Sequence, residues 1–308
     1  WKYRGRAYRY VLLDAGHLLE NLRLALNALA LSYAIHLDFD DEKAGTLLGL
    51  DTQREVCLAA IHLDGSIEGK VPALPSGDLD RLTADIGQAS RVSMKEVVYP
   101  EIVQAHRAGY GEAGASGDRL ADISAIGRSP QTWQTVFSPS RPGTPDYVEA
   151  LRQRRSRRNF IPTPLSDDSL MAFLEIVADA AAAGLPCSQP ALLDIGFLVG
   201  PGMSIPPGFY HYDHRGRRLG RLSAGHFMEP MAAACLDQMW LKNAALHLLF
   251  MTDTAAVDRV QGARGYRYAM IEAGRMGQQA YLAATALGLG ACGIGAIDDR
   301  EAADLLDL

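Results

Sequence analysis

Residues 6–50 and residues 264–308 are two versions of one segment. The first reads RAYRYVLLDAGHLLENLRLALNALALSYAIHLDFDDEKAGTLLGL, the second RGYRYAMIEAGRMGQQAYLAATALGLGACGIGAIDDREAADLLDL. They align without a gap at a constant offset of 258, and 17 of 45 positions are identical. Two amphipathic helices can share apolar periodicity by chance. They do not by chance share R-x-Y-R-Y at the start, D-D in the middle and L-L-x-L at the end. The chain therefore reads as a duplicated unit, and its fold must build the same supersecondary plan twice.

Within each copy the plan is legible. Val11, Ala15, Leu18, Leu22, Ala25 and Leu29, matched by Ala269, Ala273, Met276, Ala280, Ala283 and Leu287, recur at helical spacing and predict one buried stripe along a long helix. A short apolar segment follows, then a short helix whose N-caps are Asp40 and Asp298. The first copy continues into a predicted strand, Glu55–Leu63, whereas the second reaches Leu308 before any equivalent, which points to a C-terminus that is missing. Between the copies, Gly109–Gly117 and Ser138–Pro145 are rich in Gly, Ser and Pro and read as linkers. A helix is predicted from Tyr147, another after the N-cap Ser166, strands over Ala191–Val199 and Ala244–Thr252, and a hairpin over Gly208–Asp213 and Arg218–Leu222. Helices interleave with strands, one pair antiparallel, so the fold class is α+β. The expected organisation is the C-terminal half of one domain at 1–64, a connecting region at 65–145 and a second domain at 146–308.

Composition excludes several classes. The chain has 308 residues and net charge −6, which argues against non-specific binding to nucleic acid or anionic membranes. No apolar run approaches the roughly 20 residues of a membrane span. Cys57, Cys187, Cys235 and Cys292 are far apart without a C-x-x-C pair, as in a cytoplasmic protein with reduced thiols and no metal site. The chain opens on Trp1 rather than Met, as a processed or partial chain would.

Two segments carry candidate chemistry. Arg152-Gln-Arg154-Arg155-Ser156-Arg157-Arg158 concentrates five arginines in seven residues. Guanidinium forks bind phosphate bidentately, though a basic run can also simply suit a helix C-terminus. Gly288-Leu-Gly290-Ala-Cys-Gly293-Ile-Gly295 contains a formal G-x-G-x-x-G, but a helix precedes it where a dinucleotide site needs a strand. Gly288 reads as the residue that ends the helix, and Gly293 and Gly295 as strand glycines that either let a flat ligand approach or mark a bulge. His211 and His214 lack a third metal ligand. Trp240, Tyr266 and Tyr281 read as core or interface, and the repeated Asp pairs as caps.

These segments, taken in order, resemble the nitroreductase superfamily. The arginine motif at Arg154–Phe160, Pro164 before a helix, and the late L-G-L-G-A-C-G-I-G carry the likeness. GFYHYD at Gly208–Asp213, AACLDQMW at Ala233–Trp240 and RGYRYAMIEAG at Arg264–Gly274 make it most similar to SagB/ThcOx-type dehydrogenases. The resemblance covers 146–308 and, as a half-domain, 1–63. It implies a nitroreductase-like FMN-binding fold built as a dimer, here a pseudo-dimer within the chain or a homodimer. By the motif, Arg154, Arg155, Ser156 and Arg158 would hold FMN, and Gly293, Ile294 and Gly295 would pass beside its ring. Relatives that oxidise azolines to azoles in peptides carry a Lys-Tyr pair before R-x-Y-R-Y, and Lys2-Tyr3 stands there, either as the catalytic base or as exposed terminal residues.

At offset 258, Lys2-Tyr3 faces Val260-Gln261, and Gly293-Ile294-Gly295 faces Ile35-His36-Leu37. The resemblance therefore implies one working site, with flavin on the second copy and the base from the first. Expected partners are a peptide or small-molecule substrate and biosynthetic partner proteins. The alternatives are an NAD(P)H-driven nitro or quinone reductase and a catalytically degenerate flavin-binding scaffold.

Overall fold

A computed structural model describes residues 3–64, 97–110, 124–136, 147–185 and 192–308. Nine helices lie among the described residues: α1 (Ala7–Ala28), α2 (Asp41–Leu48), α3 (Pro100–Ala108), α4 (Tyr147–Gln153), α5 (Asp167–Ala182), α6 (Met228–Ala234), α7 (Thr254–Gln261), α8 (Gly265–Ala286) and α9 (Asp299–Leu306). The strands are β1 (Ser32–His36), β2 (Ala60–Asp64), β3 (Gln134–Thr135), β4 (Asp194–Val199), β5 (Gly208–Asp213), β6 (Arg218–Ala224) and β7 (Leu246–Met251). β1 and β2 form an antiparallel pair, and the others form an antiparallel sheet in the order β3-β6-β5-β4-β7. The fold is α+β.

The sheet is covered on both faces, and alternation along the strands decides which residue faces which layer. Ile195, Phe197, Tyr210 and Tyr212 turn toward Leu170, Leu174 and Val177 of α5 and Ile271 and Met276 of α8. Their neighbours Leu198 and Phe209 turn toward Met231 and Ala232 of α6 and Leu306 of α9. Part of the predicted connecting region belongs to this sheet. β3 pairs with β6, and Asp194 accepts the N–H groups of Ala125 and Ile126 at 2.6 and 3.2 Å. The predicted linker at Ser138–Pro145, most of the one at Gly109–Gly117, and Cys187 lie outside the described residues.

α1 and α8 have the same length and the same ends. Each follows one 3₁₀ turn, Arg4–Arg6 or Gly262–Arg264. Each closes with a bond from the second residue past the C-cap, Leu31 N–H to Leu26 C=O at 3.0 Å and Leu289 N–H to Ala284 C=O at 2.7 Å. That closure needs a left-handed residue, which is Gly288 at φ +71° in α8 but Ala30 at φ +53° in α1. The Cβ of Ala30 makes that conformation unfavourable by roughly 1–2 kcal/mol. The caps are as the sequence predicts. Asp40 accepts from Lys43 N–H, Asp298 from Arg300 and Glu301 N–H, and Ser166 from Ser169 N–H.

One expectation fails. The stripe Ala269, Met276 and Ala283 of α8 is buried under the sheet, but its counterpart on α1 is open: Val11 is 51% exposed, Leu18 69% and Leu29 68%. Among the described residues α1 is covered on the adjacent face, by Leu12, Gly16, Leu19 and Leu26 against α8. Periodicity identifies an apolar face without saying which layer covers it.

α1 and α8 run in the same direction. Tyr8 stacks on Tyr266 near their starts (6.3 Å between centroids), and Gln278 donates to Asn21 at 2.8 Å near their ends. The R-x-Y-R-Y arginines reach across to the second Asp of the opposite D-D pair. Arg6 and Arg9 bind Asp299 at 3.0 and 2.7 Å, while Arg264 and Arg267 bind Asp41 at 2.5 and 2.7 Å. The first Asp of each pair caps its helix and the second holds the partner segment.

The two arginine clusters differ in burial. The side chain of Asp299 is 54% exposed and that of Asp41 is 3% exposed. α3 closes the buried cluster, with the His106 and Gly109 carbonyls accepting from Arg267 and Arg264 at 3.0 Å each. Burial, reinforced by the nearby Arg267 charge, pushes the His106 imidazole down to about 4. His106 is therefore neutral in the fold, and its Nδ1 is hydrogen-bonded to the Tyr8 hydroxyl (3.1 Å). The unfolded chain takes up this proton near pH 6.5 and the fold does not until about pH 4. Stability is then lost as pH falls through this window, by roughly 2–3 kcal/mol from this group. Denaturant titrations from pH 7 to pH 4 are expected to show a shallower loss in His106→Gln. An identical slope in the variant would assign the acid sensitivity elsewhere.

Candidate functional site

The arginine segment follows α4, which ends at Gln153 with the Arg154 N–H bonded to the Ala150 carbonyl at 2.9 Å. Here the helix-terminus reading of the basic run holds for one residue. Arg155 turns back onto the carbonyls of Arg152 and Arg154, at 2.8 Å each. Beyond it the chain is extended and lies parallel to the glycine segment, through a bridge between Ser156 and Ala291 and an Arg157 N–H bond to the Ala291 carbonyl at 2.9 Å. Gly290 faces the Arg157 side chain, which stands 3.1 Å from where a Cβ would be. Arg158 is exposed at the end of this stretch.

The strand expected at Gly293 and Gly295 does not form. Between Leu289 and Asp298 the single Ser156–Ala291 bridge is the only ladder contact among the described residues. Two glycines close together lower the tendency to pair. Instead, Ile294 packs together with Phe160 and Trp240 against the cluster of Leu198, Phe209, Met231 and Leu306.

Tyr281 on α8 joins the two segments. Its hydroxyl accepts the Gly293 N–H at 2.6 Å and is bonded to Ser156 Oγ at 3.0 Å. The Arg154 guanidinium stands over its ring, 5.3 Å from the centroid. His17 of α1 meets the same ring edge-on at 6.0 Å and is itself bonded to Gln278 at 3.0 Å. The sequence reading leaves Tyr281 as core or interface. Its signal is a difference between the copies, since the equivalent position is Arg23, which pairs with Glu20 at 2.6 Å.

The first copy reaches this place through its N-terminus. The Tyr10 ring fills the space beside Gly295, with Cε1 2.4 Å from where a Cβ would stand, so glycine is needed there for packing alone. Tyr3 is half exposed and its ring lies 4.5 Å from that of Tyr10. Lys2 lies outside the described residues. The structure thus gathers Arg154, Ser156, Gly293 and Gly295, with Tyr3 one ring removed, and adds Tyr10, Tyr281 and His17. At the equivalent place in the first copy, Ile35 and Leu37 are buried, and β1, which carries Ile35 and His36, is paired with β2.

The donor set fits a phosphate-bearing group. Arg154, Arg155, Arg157 and Arg158 pair with no carboxylate among the described residues, and the serine hydroxyl and exposed Gly293 lie alongside. Among the described residues no three His, Cys, Asp or Glu side chains gather as metal ligands, and no helix is long and apolar enough to cross a membrane. His211, 3.8 Å from Asp194, belongs to the sheet contact with residues 124–126.

Residues 209–308 match the Nitroreductase family. A protein of Methanocaldococcus jannaschii, provisionally named a nitroreductase, is 28% identical over 165 residues, which is 52% of this chain and 83% of that protein. A crystal structure from Anabaena variabilis, provisionally titled a nitroreductase, superposes with a TM-score of 0.73 at 24% identity and covers 100% of this chain. This chain spans 63% of that one's length, and the likeness is one of fold.

Proposed function

We propose that this chain, with a nitroreductase-family region at residues 209–308, is an FMN-dependent oxidoreductase with one working site at the junction of two tandem copies. The observation that carries the reading is the convergence at Tyr281 of the arginine segment, the glycine segment and a side chain of the first copy. Arg154, Arg155, Ser156 and Arg158 would hold the flavin phosphate and ring edge, and Gly293, Ile294 and Gly295 would line its ring. FMN bound there would supply the acceptor, or donor, of a hydride.

The pseudo-dimer is supported by contacts that repeat under the offset of 258. Gly16 abuts the Ile271 carbonyl while Gly274 abuts that of Leu13, and the Arg6/Arg9–Asp299 contacts mirror Arg264/Arg267–Asp41. A self-complementary patch of this kind is what a two-fold interface requires. The single site is supported by the burial of Ile35 and Leu37 and by Arg23 at the position of Tyr281.

The finer reading is a SagB/ThcOx-type dehydrogenase that oxidises thiazoline or oxazoline rings in peptides. Oxidising an azoline to an azole removes a hydride and a proton. FMN held by the arginine and glycine segments would supply the hydride acceptor, and Lys2 or Tyr3 would take the proton. The half-exposed Tyr3, whose ring lies against that of Tyr10 beside Gly295, supports this placement of the base. The second reading is a nitro or quinone reductase driven by NAD(P)H, favoured by the name of the Methanocaldococcus relative.

Purified protein is expected to bind FMN and show a flavin spectrum. Lys2→Ala and Tyr3→Phe are expected to keep the flavin and lose turnover of an azoline peptide under oxygen. Full activity in both variants would sink the assignment of the base. Bleaching by NAD(P)H without azoline turnover would select the reductase. Protein that cannot be loaded with FMN would remove both readings in favour of a scaffold.

A further inference from the structure

Resting on the flavin reading of the site, we infer that Tyr281 is a positioning residue that sets the spacing between the phosphate-binding arginine segment and the ring-binding glycine segment.

The geometry isolates this one side chain. Ser156 and Gly293 belong to segments far apart in sequence, and one hydroxyl bonds both, at 3.0 and 2.6 Å. A phenol has one proton to give and lone pairs to receive. Gly293 N–H must donate, so Tyr281 accepts there and can still donate to Ser156 Oγ. Both contacts are satisfied at once without a charged group. The ring is 8% exposed and is held on its sides by Arg154 and His17, so the hydroxyl cannot swing away from the pair.

Glycine is the residue least able to hold its own conformation. Between Leu289 and Asp298 the backbone has, among the described residues, one ladder bridge, at Ala291, and nothing of that kind at Gly293. The Tyr281 hydroxyl therefore holds the Gly293 amide directly, beside the packing of Ile294 and of Tyr10 on Gly295. Pinning both segments to a buried residue of a 22-residue helix gives them a common rigid support. The first copy supports the assignment independently. Its position 23 holds an arginine committed to Glu20, and that copy has bulky residues in place of the glycines.

The test has a flavin-free arm and a flavin arm. In flavin-free protein the Gly293 amide is expected to exchange with deuterium slowly although Gly293 is exposed, and to exchange at least tenfold faster in Tyr281→Phe. An unprotected Gly293 amide in the wild type overturns the inference, whether or not the variant folds. In the flavin arm, the Kd for FMN is expected to rise about tenfold in Tyr281→Phe, equivalent to about 1.4 kcal/mol. The visible flavin bands are expected to shift as well, which a purely structural role would not cause. Unchanged affinity and bands in the variant overturn the inference alone. Failure of the wild type to bind FMN overturns it together with the flavin reading.

Discussion

Gly16→Ala is expected to cost at least about 3 kcal/mol of stability, and Gly274→Ala a similar amount. A Cβ on Gly16 would stand 2.0 Å from the Ile271 carbonyl oxygen, 2.8 Å from Arg275 N and 2.9 Å from Gly274 Cα. A Cβ on Gly274 would stand 2.1 Å from the Leu13 carbonyl oxygen and 3.0 Å from Leu13 Cα. Every one of these neighbours is backbone within a helix, so no rotamer change relieves the clash. The helices would have to separate, opening the packing around Leu12, Leu19 and Ile271. The melting temperature should fall by on the order of 10 °C in each variant. Gly127→Ala is the control, because nothing lies within 4 Å of its Cβ position. Its stability should stay within about 0.5 kcal/mol of wild type. If Gly16→Ala and Gly274→Ala melt like Gly127→Ala, α1 and α8 do not approach this closely.

The second large effect is expected at Arg275, which is fully buried together with Glu20. Its guanidinium donates through Nε to Glu272 at 2.9 Å and through Nη2 to both Glu272 and the Ala180 carbonyl, while Nη1 stands 3.6 Å from Glu20. One side chain thus ties α1, α5 and α8 together. Arg275→Met keeps the volume and removes the charge, leaving two carboxylates in the interior without it. The expected loss is about 3–5 kcal/mol by chemical denaturation. The double variant Arg275→Met with Glu272→Leu should recover much of that loss, because apolar groups can replace a buried pair almost neutrally. A single variant as stable as wild type would mean that water reaches this site. Under the offset of 258, Arg275 and Glu20 correspond to His17 and Gln278, which are hydrogen-bonded at 3.0 Å. The same pair of positions holds an arginine–glutamate ion pair on one side of the interface and a histidine–glutamine hydrogen bond on the other.

Much of the local structure is legible in the sequence because it depends on near neighbours. Asp40, Asp298 and Ser166 cap helices through backbone groups two or three residues away. Gly288 ends α8 because only a residue without a Cβ enters the left-handed region freely. The hairpin of β5 and β6 follows from alternation on either side of a turn. The roles of the R-x-Y-R-Y motif and of the second Asp in each D-D pair are different. The repeat marks them as important, but their partners are 223 to 293 residues away. Only the packed helices reveal that each arginine pair holds the aspartate of the other, similar segment.

The candidate site divides in the same way. Chemistry alone singled out the arginine run and the glycine run, because guanidinium forks and missing side chains have recognisable uses. Neither run indicates that the two lie side by side, that Tyr281 bonds both, or that Tyr10 fills the space at Gly295. The open stripe on α1 is the reverse case, an apolar pattern legible in sequence whose covering layer is decided elsewhere.

By itself the sequence determined what each segment can do: two similar helix-and-cap segments, an α+β order, a cationic run and a flexible glycine run. These follow from short-range hydrogen bonding, backbone sterics and periodicity, which act over a few residues. The tertiary structure decided which copy is buried, which aspartate is shielded, and which side chains meet. Those outcomes depend on the close approach of two helices that begin 258 residues apart, and no local preference encodes that approach.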